Sequence, residues 1–172
     1  MADVKSHEAA SHDVFLSFRG EDTRRSFADH LYAALVGAGF RTFRDNEGIE
    51  RGENIKSELE RAIVQSRCSI IVLSQNYSFS SWCLDELVLI LHHKRKNSRH
   101  FVLPVFYHVD PSDFRKQKGS VGDAFGVHEE RFKTEAGEER KKELMEKVKG
   151  WREAVREVAD LGGMPLQNHA DG

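Results

Sequence analysis

Four short apolar runs recur along the chain, each separated from the next by a segment with helical spacing. That alternation constrains the fold more than any other feature. The runs are DVFLSFR (13–19), FRTFRD (40–45), CSIIVLS (68–74) and FVLPVFYHV (101–109). Each is too short for a core helix and rich in β-branched or aromatic residues, so each reads as a strand. Between them, Phe27, Leu31 and Leu35 recur every four residues, as do Ile55, Leu59 and Ile63. These are amphipathic stripes. A third helix is expected from about Ser81 to Lys96, and a last one carries Leu144, Val148, Trp151, Val155 and Val158. QNYSFS reads as a loop, DPSDFRKQKGSVG as a turn-rich connection and DAFGVHEERF as a short helix. Pro104 has no N–H for a ladder and predicts the start, edge or bulge of its strand. Strand–helix alternation with short links predicts an α/β fold. It is a flavodoxin-like three-layer sandwich, with a central parallel sheet of about five strands and helices on both faces.

The 172 residues suit one domain, expected at 12–163, with a disordered lead at 1–11 and a fraying tail at 164–172. Lys and Arg number 26 against 28 Asp and Glu, so no broad field favours nucleic acid or a membrane, although local basic clusters stay open. The two cysteines, Cys68 and Cys83, form no disulfide framework, and the N-terminal stretch lacks an apolar signal-peptide segment. A reducing, cytoplasmic setting is the expectation, with the nucleus left open.

In open α/β sheets, ligands bind outside the carboxyl ends of the strands. That rim gathers Arg19 and Gly20 after the first strand, the loop at 45–52 after the second, and the start of the SSWCLDELVLIL helix (80–91) after the third. On that helix Leu84, Leu87, Val88 and Leu91 form one stripe. Trp82 and Glu86 are four apart and share a face roughly opposite it. Ser80 or Ser81 is the candidate N-cap, and the positive helix end favours ionised Asp85 and Glu86. Acids near a helix start also occur simply because they stabilise the helix.

Several chemistries are excluded. FRGEDTR after the first strand lacks G-x-G-x-x-G, and no phosphate-binding P-loop occurs. A phospho-acceptor receiver domain needs an aspartate after the third strand, where IIVLSQN has none. No G-x-S-x-G elbow exists, although a Ser-His-acid triad stays open, and no metal site is expected, because His92 and His93 diverge on their helix. One carboxylate remains able to act alone. Glycoside cleavage usually takes two carboxyl groups. A leaving group that is already cationic, as nicotinamide is in NAD, departs neutral without an acid. A single ionised glutamate then stabilises the developing positive charge, an aromatic ring stacks on a base, and Arg19 holds a phosphate. The residues permit this set without compelling it.

The stretches DVFLSFRGEDTRRSFADHLYAAL, FRTFRDNEGIERGENIKSELERAI, SIIVLSQNYSFSSWCLDELVLI and VLPVFYHVDPSDFRKQKGSVGDAF resemble, in order, a Toll/interleukin-1 receptor (TIR) domain of the plant immune-receptor kind, over about residues 12 to 162. In that family the domain precedes a nucleotide-binding module and leucine-rich repeats. The resemblance implies an NAD(P)+ glycohydrolase that needs no cofactor beyond its substrate, NAD+ or NADP+, and that acts when self-associated. Its products are ADP-ribose-type immune signals leading to defence and cell death. Glu86 would be the catalytic glutamate, and Trp82, Ser80, Arg19 and Gly20 would line the pocket. Asn46, Glu47, Gly48, Ile49, Glu50, Arg51 and Gly52 would form a mobile loop completing a site across two protomers. Self-association would use the first helix, where the family's Ser-His pair reads Asp29-His30, and a second face near Gly162. The alternative expectation is a non-catalytic module that recruits other TIR domains.

Overall fold

Among the described residues five strands form one parallel sheet, in the order β2-β1-β3-β4-β5. The computed structural model describes residues 12–20, 27–44, 55–135 and 137–166. The expected lead at 1–11 and the expected loop at 46–52 lie outside the described residues. The strands are β1 (His12–Ser17), β2 (Thr42–Arg44), β3 (Ser66–Leu73), β4 (Phe101–Tyr107) and β5 (Met164–Leu166). The helices are α1 (Phe27–Gly37), α2 (Ile55–Val64), α3 (Ser81–Lys96), α4 (Pro111–Lys116), α5 (Gly119–Lys133) and α6 (Glu138–Asp160). This is the expected flavodoxin-like order. The central strands are buried on both faces, so β3 reads Ile70-Ile71-Val72-Leu73 without alternation.

The two faces of the sheet are covered unequally. On one, α2, α3, α5 and α6 share a large core with Phe15, Ile71, Leu73 and Phe106 from the strands. On the other, Val14, Leu16, Ile70, Val72 and Val105 pack against Phe27, Ala28, Leu31 and Leu35 of α1. The long α6 buries Leu144, Val148, Trp151, Val155 and Val158, as its spacing predicts, and it packs across α3.

Three local expectations are corrected. The tail expected from residue 164 begins instead with β5, which pairs with β4 through Val105↔Met164, Phe106↔Pro165 and Tyr107↔Leu166. Gly163 makes that docking possible: a Cβ there would lie 2.1 Å from the carbonyl oxygen of Pro104 and 2.8 Å from its ring. Because β5 joins only from Val105, Pro104 lies where β4 is paired on one side alone, with Ile71 of β3. The connection at 110–122 is not all turn. Asp110 caps the amide of Ser112 at 2.9 Å and Pro111 takes the first helical turn, so α4 forms there. The QNYSFS loop holds a 3₁₀ turn at Tyr77–Phe79, and Tyr77 is fully buried.

One buried histidine ties the end of α3 to the sheet. His100 is 2% exposed; its Nδ1 lies 3.2 Å from the carbonyl of Ser66 and its Nε2 2.8 Å from the Ser69 hydroxyl. A carbonyl only accepts, so Nδ1 carries the proton and Nε2 accepts from Ser69. Burial, reinforced by the neighbouring His93 ring 4.8 Å away, lowers the His100 pKa from 6.5 to about 4. The unfolded chain therefore binds this proton at higher pH than the folded one. The contribution is fully present above pH 6.5 and is lost as pH falls towards 4. We expect unfolding measured by denaturant titration to show a decline of order 3 kcal/mol across that window from His100. His93 and His128, also lowered by burial, add in the same direction. A His100→Gln variant should have a visibly shallower slope between pH 6.5 and 4.

Candidate active site

The third helix is the element that brings chemistry to the rim. Ser80 has an extended backbone and its hydroxyl accepts the Cys83 amide at 3.2 Å, so Ser80 is the N-cap. Helix α3 then runs from Ser81, and its first turn contains no acid. Asp85 and Glu86 both fall in the second turn, beyond the main reach of the helix dipole.

The face carrying Glu86 is not the open side that its position opposite the leucine stripe suggests. Glu86 is 3% exposed, as deeply buried as the leucines. The reason lies outside the helix. α2 packs on one flank of α3 and α6 on another, so the first two turns of α3 have little free perimeter. Asp85 is committed to α6: its carboxylate accepts the Trp151 indole N–H at 3.0 Å and the Lys147 ammonium at 3.3 Å. Trp151 is a large ring whose one donor needs a partner when buried, and Asp85 supplies it.

Between these helices lies a cleft of about 480 Å³, walled by Trp82, Asp85, Glu86, Lys56, Lys147 and Trp151, with Leu59, Val88, Leu89 and Gly150 completing it. Its size is that of a small-molecule site, mostly apolar with a few converging charges. Of the sequence-derived pocket residues, Glu86 and Trp82 meet here. Arg19, Gly20 and Ser80 are not in the wall among the described residues. Arg19 is half-buried and its Nη1 donates to the carbonyl of Asn76 at 2.6 Å, joining the carboxyl ends of β1 and β3. Gly20 is buried beside it. The 46–52 loop lies outside the described residues. Among the described residues no group of three or more His, Cys, Asp or Glu is placed to hold a metal.

Lys56, Lys147 and Trp151 were not legible as site residues. Lys147 and Trp151 are four apart in the last helix, which was a signal for a shared face, but nothing in the sequence says which helix that face meets. Tyr77 was hidden inside an apparent loop. Its hydroxyl lies 2.9 Å from the Ser17 hydroxyl at the end of β1 and donates to the Cys83 carbonyl at 3.1 Å. Burial pushes its pKa well above the ordinary tyrosine value; the neighbouring Cys83 and Glu86 push in the same direction, and the Ser17 hydrogen bond opposes them. It therefore stays a neutral donor. Two further contacts hold this region: the Cys83 thiol reaches the Phe18 carbonyl at 3.7 Å, and buried His128 lies 2.8 Å from the Ser78 carbonyl.

The proposed self-association residues lie elsewhere. His30 is exposed on α1, whereas Asp29 accepts from Arg44 of β2 at 2.7 Å. Arg44 in turn lies 4.1 Å over the Tyr32 ring. Gly162 is exposed, with φ +68.

The fold and this cleft define a doubly wound α/β domain with a buried glutamate beside a tryptophan near the carboxyl rim of its sheet. The family model described as "TIR domain" matches residues 11–171, and the chain belongs to that family. It is 52% identical over 160 residues to the disease resistance protein RUN1 of Vitis rotundifolia, covering 92% of this chain and 11% of that protein. It is 44% identical over 163 residues to the TMV resistance protein N of Nicotiana glutinosa, covering 95% and 13%. The chain thus spans about a tenth of the length of these relatives. Among solved structures, the TIR domains of the activated Roq1 resistosome, which directly recognises the pathogen effector XopQ, superpose with a TM-score of 0.77 at 45% identity, covering 94% of this chain and 92% of that one.

The tyrosine bridge yields a prediction. Tyr77→Phe keeps the ring and removes the hydroxyl shared by Ser17 and Cys83. It should cost about 1–2 kcal/mol in denaturant unfolding, because a buried hydroxyl on Ser17 loses its partner. Ser17→Ala should cost less, since Tyr77 keeps the Cys83 carbonyl, and the double variant should fall short of the sum of the two.

Proposed function

We propose that this TIR domain is a self-associating NAD(P)+ glycohydrolase of plant immune signalling, with Glu86 as its catalytic carboxylate. The observation that carries the reading is the seat of Glu86, shielded from bulk water in the wall of a cleft beside Trp82. A carboxylate in such surroundings acts on a developing cation far more strongly than one in water.

The reaction follows from that placement. The bond between ribose C1′ and the nicotinamide nitrogen breaks, and its electron pair goes to the nitrogen. Nicotinamide is cationic in the substrate and leaves neutral, so no proton donor is required. Positive charge develops at C1′ and the ring oxygen, and the Glu86 carboxylate offsets it. Water then adds to C1′ and gives up a proton, leaving ADP-ribose or its 2′-phosphate. The Trp82 ring offers a face for a base. Lys56 and Lys147 line the same cleft with ammonium groups suited to phosphates. Arg19 has an organising role: its guanidinium holds the Asn76 carbonyl and so ties the carboxyl ends of β1 and β3 beside the cleft.

Self-association is supported by the exposure of His30 and Gly162 and by the 45% identical TIR domains solved within the Roq1 resistosome. A domain assembled in this way would signal through its ADP-ribose-type products in the cytoplasm.

The test is product analysis of nicotinamide release by concentrated wild-type protein and by Glu86→Gln, which preserves side-chain volume. Loss of one electrostatic stabiliser predicts a fall of about 100-fold or more with assembly by light scattering unchanged. A Glu86→Gln protein that releases nicotinamide at the wild-type rate would rule out the carboxylate's role. A wild-type protein that assembles and releases none leaves only the non-catalytic recruitment module.

A further inference from the structure

We propose that the rim at the amino ends of the strands is a docking surface for an anionic lipid bilayer. The surface lies at the opposite end of the sheet from the carboxyl rim, so the inference does not depend on the catalytic reading.

Because every strand is parallel, the strand starts and the ends of the helices preceding them share one rim. Close contacts tie the segments together. Asp13 and Arg41 exchange backbone and side-chain bonds at 2.7 and 2.8 Å, the His12 amide donates to the Gln65 carbonyl, and His100 bonds the Ser66 carbonyl. Phe101 pairs in register with Cys68.

The charge there is one-sided. The last turn of α2 contributes Arg61 and that of α3 contributes Lys94, Arg95 and Lys96. The links and strand starts add Arg41, Arg67 and Arg99. Among the described residues, three carboxylates face these seven cations at the strand starts and helix ends. Asp13 is shared by Arg41 and Arg67, Glu157 is paired with Arg95, and Asp160 ends α6. Arg61, Lys94, Lys96 and Arg99 make no ion pair among the described residues. The whole chain is nonetheless at -2, so its balance conceals a segregation of charge. Net charge had argued against a membrane partner; the distribution argues for one.

Apolar side chains stand among the cations. Val36 is 48% exposed, Phe40 48%, Val64 53% and Phe101 60%. A polyphosphate backbone has no use for valines. A lipid interface has, because the phenyl and isopropyl groups enter the boundary below the headgroups while the lysines and arginines meet their phosphates. No helix among the described residues is long and apolar enough to cross a membrane, so the contact would be peripheral. It would present the opposite rim, with the start of α3, away from the bilayer.

Co-sedimentation of the intact 172-residue chain with vesicles tests this. We expect partitioning onto phosphatidylcholine vesicles containing about 30% phosphatidylserine to exceed that onto pure phosphatidylcholine by about tenfold or more, and to fall steeply as salt rises from about 0.05 to 0.5 M. The triple variant Lys94→Glu/Lys96→Glu/Arg99→Glu should lose binding, and Phe101→Ser should weaken it several-fold. The control Lys142→Glu/Lys149→Glu, on exposed positions of α6, should bind as wild type; circular dichroism confirms that each variant is folded, and Lys94→Gln/Lys96→Gln replaces the triple variant if that one is not. Three results would each overturn the proposal: equal recovery with neutral and anionic vesicles, equal losses in the rim and control variants, or retention of a duplex oligonucleotide without retention of anionic vesicles.

Discussion

A single buried hydroxyl connects the three elements on which the site depends. Tyr77 lies on the turn leaving β3, and its oxygen reaches both Ser17 at the end of β1 and the Cys83 carbonyl in the first turn of α3. Cys83 is near it in sequence but Ser17 is 60 positions away, so the full contact exists only once β1 and β3 have paired. The Ser80 cap and the His128 contact with Ser78 then hold the same few residues from the other side. The start of α3 is thus fixed by hydrogen bonds rather than by apolar packing alone. Hydrogen bonds are directional where packing is not, and a carboxylate one turn further along inherits that definition. A helix start free to slide by a fraction of a turn would leave Glu86 facing apolar side chains as readily as the cleft.

Burial of Glu86 depends on a second arrangement, the bridge from α3 to α6. Trp151 fills the core and Lys147 lies 5.6 Å from its ring, while both reach the carboxylate of Asp85. Two adjacent acids therefore have different roles set by their neighbours. Asp85 is half-exposed and joined to two donors from α6; Glu86 is almost wholly shielded and lies in the cleft wall. The helix itself makes them adjacent, and only packing separates them. The ~100° step between them turns one towards α6 and the other between α2 and α6.

How much of this was legible in the sequence follows from the range of each interaction. Strands β1, β3 and β4 were readable because a strand buried on both faces must be a continuous apolar run, and Val-Ile-rich runs of that length have few other uses. The start of α3 was readable because its cap is local. α4 carried a local signal as well, Asp110 followed by Pro111, but the same residues also begin turns, and the turn reading was wrong. β5 was hidden: three residues with a proline at their centre show no pattern, and their pairing relies on Gly163 lying flat against Pro104 some sixty positions earlier in the chain. The seat of Glu86 was half legible. Its spacing from Trp82 placed the two on one face, but a single-helix projection treats the remainder of the surroundings as water. It cannot anticipate two helices closing on the same perimeter.

The same limit applies to charge. A sum over the chain is blind to position, and here the near-neutral total conceals a basic rim. The basic residues at the ends of α2 and α3 also complement the negative carboxyl ends of their helix dipoles, a sufficient reason for cations to gather there. That explanation covers Arg61 and Lys94 to Lys96. It does not cover Arg41, Arg67 or Arg99, which sit outside helices, nor does it ask for Phe40, Val64 and Phe101 to stand in solvent beside them. Dipole compensation would be served equally well by cations on a polar rim. The exposed apolar groups are therefore what separates a surface that merely stabilises its helices from one suited to meet a lipid interface.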